Sequence, residues 1–198
     1  MSAALAMRVL RTTSPKVQWK FAYNFGWKGM RSVQRFKSRL KEGKVFPPFL
    51  YISIINSCNL RCRGCWVDVA APQKKISFED FDRMVTNAKK HGNRFFGILG
   101  GEPFLHPDLM RMLAAHPDCY FQIFTNGQPI TDEVAAELAR LGNATPLISV
   151  EGDTVESDAR RGRTDVYDKT LAGIEAALRH KLLVGVASSV CATNYDQL

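Results

Sequence analysis

Three cysteines fall within eight residues, in the run Cys58-Asn-Leu-Arg-Cys62-Arg-Gly-Cys65. Thiolates at i, i+4 and i+7 on one loop can converge on a single metal centre. Iron–sulfur clusters are held by cysteine thiolates, usually four of them. Three with no fourth nearby leave one coordination position unfilled, which a catalytic metal site needs and a structural one avoids. The other reading is a zinc site completed by a distant ligand such as Cys119, Cys191 or His106. The chain has five cysteines in all. In an intracellular protein, an odd number with this clustering points to a metal or redox centre, not to a disulfide framework.

Other groups could do chemistry beside them. Gly100-Gly101-Glu102-Pro103 has two glycines that let a ligand approach the backbone closely, a proline that fixes the turn, and a carboxylate that can face a cation. In Ser149-Val-Glu151-Gly152 the first and third side chains share one side of a strand. The following Arg160-Arg161-Gly162 offers guanidinium groups that can pair bidentately with a carboxylate. Taken alone, Arg160, Arg161 and Arg163 read as a solvated loop balancing Glu156 and Asp158. Thr125-Asn126-Gly127 reads as a turn and His106 as a helix entry. Cys119 and Cys191 read as small buried hydrophobes. His91, His116 and His180 are placed to close helices, where a cation suits the dipole.

The elements that must position these groups follow from periodicity. Strands are expected over 49–55, 94–99, 120–124, 146–150 and 183–190. Helices are expected over 77–91, capped by Ser77, then 107–115, 131–141 between Thr131 and Gly142, and 166–180 with a Tyr167, Leu171, Ile174 and Leu178 stripe. Asn194 is placed to cap one more helix. Strands alternating with helices predict an α/β fold with a parallel sheet. Each chemical motif then lies at or just after the C-terminal end of a strand, the face where parallel α/β folds and barrels bind ligands. A chain stopping as a fifth helix begins reads as a fragment of a longer protein.

With 198 residues, 45% hydrophobic and 23% charged, the composition is that of one soluble globular domain and excludes a disordered or fibrous chain. No apolar run approaches a spanning helix, and the start lacks a signal peptide's apolar core, so a cytoplasmic location is expected. The net charge of +8 is uneven. Residues 1–50 hold eleven Lys/Arg against Glu42 alone, a net +10, and the remainder is −2. The basic character belongs to residues 17–41, a helix broken by Gly26 and Gly29. Its Trp19, Tyr23, Trp27, Met30, Val33, Phe36 and Leu40 recur at spacings of three and four. Such a segment can pack on its own domain, lie on an anionic membrane surface, or hold an acidic partner. Nucleic acid ranks last, because no recognisable binding module joins the basic residues.

Together, Cys58-x3-Cys62-x2-Cys65, Gly100-Gly-Glu-Pro and Ser149-Val-Glu-Gly resemble the radical S-adenosylmethionine (SAM) superfamily, with the pattern closest to its peptide-modifying and sulfatase-maturase-like members. The resemblance covers about residues 49–198. It implies a partial (β/α)6 barrel with about five βα units, incomplete at the C-terminus, behind a basic helical extension over residues 1–48. It also implies that Cys58, Cys62 and Cys65 bind a 4Fe–4S cluster whose open iron is chelated by SAM. Backbone of Gly100, Gly101, Glu102 and Pro103 would receive the SAM amino group. Ser149 and Arg161 would hold its carboxylate and Glu151 its ribose. The reduced cluster would cleave SAM to methionine and a 5′-deoxyadenosyl radical that abstracts hydrogen from substrate. A flavodoxin or ferredoxin would donate the electron, and the substrate would be a peptide or small molecule. One position departs from the pattern: the residue before the third cysteine, commonly aromatic, is Gly64. Trp66 could take over stacking on the adenine or pack at the barrel mouth. The alternative function is a non-catalytic iron–sulfur or zinc module, which has no need of the Gly-Gly-Glu-Pro and strand-four groups.

Overall fold

The computed structural model describes residues 3–192 and 194–196. Helices α1 (Ala3–Thr12) and α2 (Pro15–Lys20), a π-helical stretch (Phe21–Lys28) and α3 (Gly29–Lys41) lead into the sheet. There β1 (Leu50–Ser53), α4 (Phe78–Lys90), β2 (Phe95–Leu99), α5 (Leu109–Ala115), β3 (Tyr120–Thr125), α6 (Asp132–Leu141) and β4 (Ala144–Ser149) alternate. Helices α7 (Thr154–Arg161) and α8 (Val166–Arg179) precede β5 (Gly185–Ala187). The five strands form one sheet in sequence order, every pair parallel. Strands added in order with helices returning over one face make an open arc of the (β/α) barrel type. Phe96, Ile98, Phe121, Ile123 and Ile148 face the helices and bury against Phe81, Val85, Met112, Leu113 and Leu138. The alternate residues face the barrel interior.

The capping signals act as read. The Ser77 hydroxyl accepts the Asp80 N–H, Thr131 accepts that of Val134, and Gly142 ends α6 at φ 72°. His91, His116 and His180 do close α4, α5 and α8. His116, however, is 2% exposed, and burial lowers its pKa, so a cation–dipole role does not suit it.

Four expectations change. Strands one and five are shorter than their apolar runs. Helices α1 and α7 are additional, α7 occupying the segment read as a solvated loop. The buried face of α8 is Val166, Thr170, Gly173, Ala176 and Ala177, while Leu178 is exposed. Small residues face inward because α8 packs directly on the loop after β3: a Cβ on Gly173 would stand 2.1 Å from the Gly127 carbonyl oxygen. Asn194 lies in a turn, its carboxamide oxygen accepting the Cys191 N–H; most of the helix it was expected to cap lies outside the described residues.

The basic segment runs helically from Pro15 to Lys41 beneath the sheet, where strands begin and helices end. Neither Gly26 nor Gly29 interrupts it. The lower ends of the helices leave carbonyls without intrahelical donors, and the segment supplies donors. Lys16 bonds the Arg140 carbonyl, Lys20 that of Leu141 (3.0 Å) and Arg39 that of His91 (3.1 Å), while Lys28 bonds that of Asp118 in the turn after α5 (3.0 Å). Cations at helix C-termini also oppose the dipole's negative end. Phe21 and Phe25 meet Tyr120 and Phe95 at the floor of the barrel, and Val17 is fully buried. The inward face therefore holds Val17, Phe21, Asn24 and Ser32, and Trp19, Tyr23, Trp27 and Met30 of the expected stripe stay exposed.

Asn24 carries much of this attachment. Its buried amide donates to the carbonyls of Pro117 and Cys119, both at 3.3 Å, and its oxygen accepts from Lys28 at 2.8 Å. Asn24→Ala leaves these groups short of partners and is expected to cost about 1–3 kcal/mol in denaturant unfolding.

Candidate active site

The segment after β1 carries the three cysteines, and two neighbours hold it from opposite sides. On one side the N–H groups of Arg61 and Arg63 donate to the Arg161 and Arg160 carbonyls at the end of α7, at 3.3 and 2.8 Å. On the other, the Asn126 amide donates to the Asn59 side-chain oxygen, and the Asn59 amide donates to Gln128, both at 2.8 Å. Leu60 is buried beneath the loop. The end of α7 is glycine for two reasons: Gly162 has φ 72°, and a Cβ there would lie 2.7 Å from the Arg61 carbonyl oxygen. Gly162→Ala is expected to cost about 1–2 kcal/mol and to loosen the cysteine loop. Thermal unfolding reads the first effect, and faster alkylation of Cys62 reads the second.

Gly100 and Gly101 have a related origin. Cβ atoms there would stand 2.2 Å from the backbone oxygens of Ile55 and Ser57 respectively. The Gly101 and Glu102 N–H groups donate to those same oxygens at 2.7 and 2.8 Å. The glycines thus let two chain segments touch, so their Cβ side faces the loop after β1 and not a ligand. An ammonium ligand can only donate, so it would need the segment's carbonyls.

Glu102 is fully buried and both its oxygens are engaged. One accepts the Thr125 hydroxyl at 2.8 Å and the Phe104 N–H at 3.2 Å; the other accepts the Asn126 N–H at 2.9 Å. Burial pushes its pKa up to about 7, against the pull of these three donors and of Arg161. Thr125-Asn126-Gly127, read as a bare turn, is therefore the hub that joins Glu102 to the cysteine loop. Its cue in the sequence was its place at a strand's C-terminal end.

Across the cavity, Arg161 donates to Glu151 at 2.8 Å, and its other terminal nitrogen lies 3.8 Å from the Cys62 sulfur. Arg160 lies 3.4 Å from the second Glu151 oxygen, which also accepts the Ser189 N–H at 3.2 Å. The arginines read as a solvated loop therefore neutralise a buried carboxylate, and a ribose hydroxyl would have to share Glu151 with them.

These groups surround one cavity of about 310 Å³ at the C-terminal ends of the strands, a volume in the range of small-ligand sites. Cys58, Cys62, Cys65 and Trp66 line it from the loop, and Gly100, Gly101 and Glu102 from behind β2. Ser149, Glu151 and Arg161 line it from β4 and α7, and Thr125 and Asn126, not singled out beforehand, complete its wall. Pro103 is buried behind the lining and starts a short 3₁₀ turn. Trp66 is 70% exposed at the mouth.

All five thiols are free. Among the described residues no three of His, Cys, Asp and Glu stand close enough to share one metal ion. A group held by three thiolates needs all three sulfurs to face one space, and Cys58, Cys62 and Cys65 all line this cavity. The distant zinc candidates are otherwise engaged. Cys119 is fully buried at the opposite end of β3, its pKa pushed up to about 12 by burial. His106 bonds the Ile76 carbonyl with one ring nitrogen and accepts the Asp108 N–H with the other. Cys191 is partly exposed, not a buried hydrophobe, and Arg160 lies 2.8 Å from its sulfur. Burial raises the Cys58 pKa, so metal loading there requires deprotonation against that cost.

Known proteins resemble the chain in sequence and in fold. The family model of the Radical SAM superfamily matches residues 52–193. Pre-heme d1 synthase of Dinoroseobacter shibae is 26% identical over 171 residues, which is 81% of this chain and 40% of that protein. The sporulation killing factor maturation protein SkfB of Bacillus subtilis is 25% identical over 150 residues, 74% of this chain and 37% of that one. The chain thus spans about 40% of the length of these relatives. Crystal structures of Streptococcus suis SuiB, with precursor peptide SuiA and with SAM, superpose with a TM-score of 0.71 at 23% identity. They cover 84% of this chain and 39–40% of SuiB, a likeness of fold.

Proposed function

The chain belongs to the radical SAM superfamily, and on that premise we propose that it binds a 4Fe–4S cluster through Cys58, Cys62 and Cys65 and cleaves SAM reductively. The observation that carries this reading is the convergence on one cavity of the three thiols with Gly100, Gly101, Ser149, Glu151 and Arg161. An electron carrier has no use for the second set.

Bound together, cluster and SAM supply a 5′-deoxyadenosyl radical by one-electron reduction of the sulfonium. The chain's own residues orient and shield. Cys58, Cys62 and Cys65 would hold the cluster and supply no fourth ligand, which would leave room for SAM. Backbone carbonyls of the Gly100–Pro103 segment accept the N–H groups of the amino group, with the Glu102 carboxyl behind them. Arg161 and Ser149 receive the carboxylate, Arg161 being held in place by Glu151. Trp66 at the mouth offers a face to the adenine where Gly64 offers none. A flavodoxin- or ferredoxin-like donor supplies the electron in a reducing cytoplasm. Residues 1–48 form an extension to the catalytic body over 49–198. We take a peptide as the substrate class, because Ser149 with Arg161 resembles the peptide-modifying members and SuiB of like fold was solved with a precursor peptide.

The test is anaerobic reconstitution with iron and sulfide, reduction, and addition of SAM. Formation of 5′-deoxyadenosine supports the proposal. A fully loaded, reduced chain that makes none leaves the electron-transfer or structural module as the correct reading.

A further inference from the structure

The helical segment under the barrel is built inside out. Its polar groups Asn24, Lys28 and Ser32 point into the protein beside Phe21 and Phe25, while Trp19, Tyr23 and Trp27 point away. Trp19 is 66% exposed, Trp27 53% and Met30 55%. Trp19 and Tyr23 stack at 5.4 Å with rings nearly parallel.

The cations divide the same way. Lys16, Lys20, Lys28 and Arg39 bond carbonyls of the barrel. Arg31, Arg35, Lys37 and Lys41 are exposed and, among the described residues, form no ion pair. The segment's lone acid, Glu42, pairs with Lys44. Beside the aromatic row lies a cavity of about 170 Å³ lined by Tyr23, Trp27, Lys28, Arg31, Arg35 and Arg94. It holds four cations, two rings and no acid. Arg35 lies against Gly92, where a Cβ would come within 2.6 Å of its guanidinium.

We propose that this lower face docks on an anionic phospholipid bilayer, with Trp19, Tyr23, Trp27 and Met30 entering the interface and Arg31 and Arg35 taking headgroup phosphates. Trp and Tyr carry the mix of apolar ring and polar tip that settles at headgroup level. Basic residues beside such a face add attraction to anionic lipid. Aliphatic Met30, Val33 and Leu40, all exposed on the same segment, suit acyl chains and have no use in stacking on bases. Among the described residues no helix is long and apolar enough to cross a membrane, so the contact is peripheral. The candidate active site, at the opposite ends of the strands, then opens to the aqueous side.

Sedimentation with sucrose-loaded vesicles tests this on the full chain. Partition onto phosphatidylcholine vesicles containing phosphatidylglycerol is expected to exceed that onto pure phosphatidylcholine at least about tenfold, and to fall with salt. Arg31→Glu with Arg35→Glu should weaken it at least about 30-fold, taking the constant of about 1 kcal/mol for each basic residue lost. Trp19→Ala with Trp27→Ala should abolish the blue shift of tryptophan emission on binding. All four side chains are exposed, so the thermal midpoint should hold. If the charge-reversed chain does not fold, the wild-type salt titration and the neutral vesicles decide. No partition onto anionic vesicles, or equal partition onto neutral ones, overturns the proposal. So does a blue shift that needs only a second copy of the chain or single-stranded RNA and no lipid.

Discussion

Cys62→Ala abolishes the iron–sulfur charge-transfer absorbance of the anaerobically reconstituted protein and brings 5′-deoxyadenosine formation down to background. The loss is expected to be total because the loop offers no substitute. Cys58 and Cys65 remain, but two thiolates leave two irons of a 4Fe–4S cluster open, and clusters rely on Cys₄-type ligation or a close replacement. The other cysteines cannot step in: Cys119 is buried at the far end of β3, and the Cys191 sulfur lies against Arg160. Cys62 is a partly exposed side chain on a loop, so the fold should stay within about 0.5–1 kcal/mol of wild type. Cys119→Ala is the control with the opposite signature. It should keep the absorbance and lose about 1 kcal/mol of stability, because it removes a buried, packed sulfur. Stoichiometric zinc with no chromophore in the wild-type chain, or a chromophore that survives Cys62→Ala, refutes the ligand assignment.

The same residue bears on redox poise. The Arg161 guanidinium stands 3.8 Å from the Cys62 sulfur, and hydrogen bonds and positive charge near the sulfurs are among the factors that set a cluster's potential. That contact exists because α7 ends where the cysteine loop passes, and α7 was not legible from hydrophobic periodicity. Its sequence, Asp153-Thr-Val-Glu-Ser-Asp-Ala-Arg-Arg-Gly162, has almost no apolar stripe. It has instead the other helix signals: an N-cap aspartate that accepts the Glu156 N–H, an acid in the first turn, arginines in the last and a left-handed glycine after it. Asp158 on α7 also caps α8, accepting from the N–H groups of Asp165, Val166 and Tyr167. Reading those residues as solvated charges missed both roles.

What was legible is what local rules govern. Strand–helix alternation follows from period, helix ends from Ser77, Thr131 and Gly142, and the position of the chemical groups from their place after strands. The rest depends on which surfaces meet. Periodicity showed the stripe of the basic segment but left its direction open, because direction is set by the carbonyls at the barrel floor. The two glycines before Glu102 were expected to let a ligand approach the backbone closely, and in the structure another chain segment approaches them. That the approaching group is the Ile55–Ser57 backbone could not be known until β1 and β2 were paired. The stripe on α8 is shifted for a like reason: Gly173 is needed where Gly127 passes.

Glu102 concentrates these tertiary effects, and its substitution is expected to be severe. Glu102→Ala leaves the Thr125 hydroxyl and the Asn126 and Phe104 N–H groups buried without their acceptor. At about 1–2 kcal/mol each the loss is about 3–6 kcal/mol, a large share of an ordinary domain's stability. Glu102→Gln keeps the shape and one acceptor oxygen, so it should lose less. It also separates geometry from charge through pH. Burial raises the carboxyl's pKa from 4.5 to about 7. The folded protein therefore holds this proton over a range where the unfolded chain has released it. The stability that proton confers is complete below about pH 4.5, declines as pH rises and is gone a little above 7. Denaturant unfolding at fixed salt should show a fall of about 3 kcal/mol over that window in the wild type, and the Glu102→Gln protein should lack it. The sulfonium charge of SAM in this cavity favours the ionised carboxylate and pulls the pKa back down. SAM affinity should therefore rise with pH up to about 7, by at most about tenfold per unit, and Glu102→Gln should flatten that rise as well. A wild type whose stability and SAM affinity are both level from pH 5 to 8 would show that Glu102 is already ionised throughout, held by its three donors, and that burial does not govern its charge.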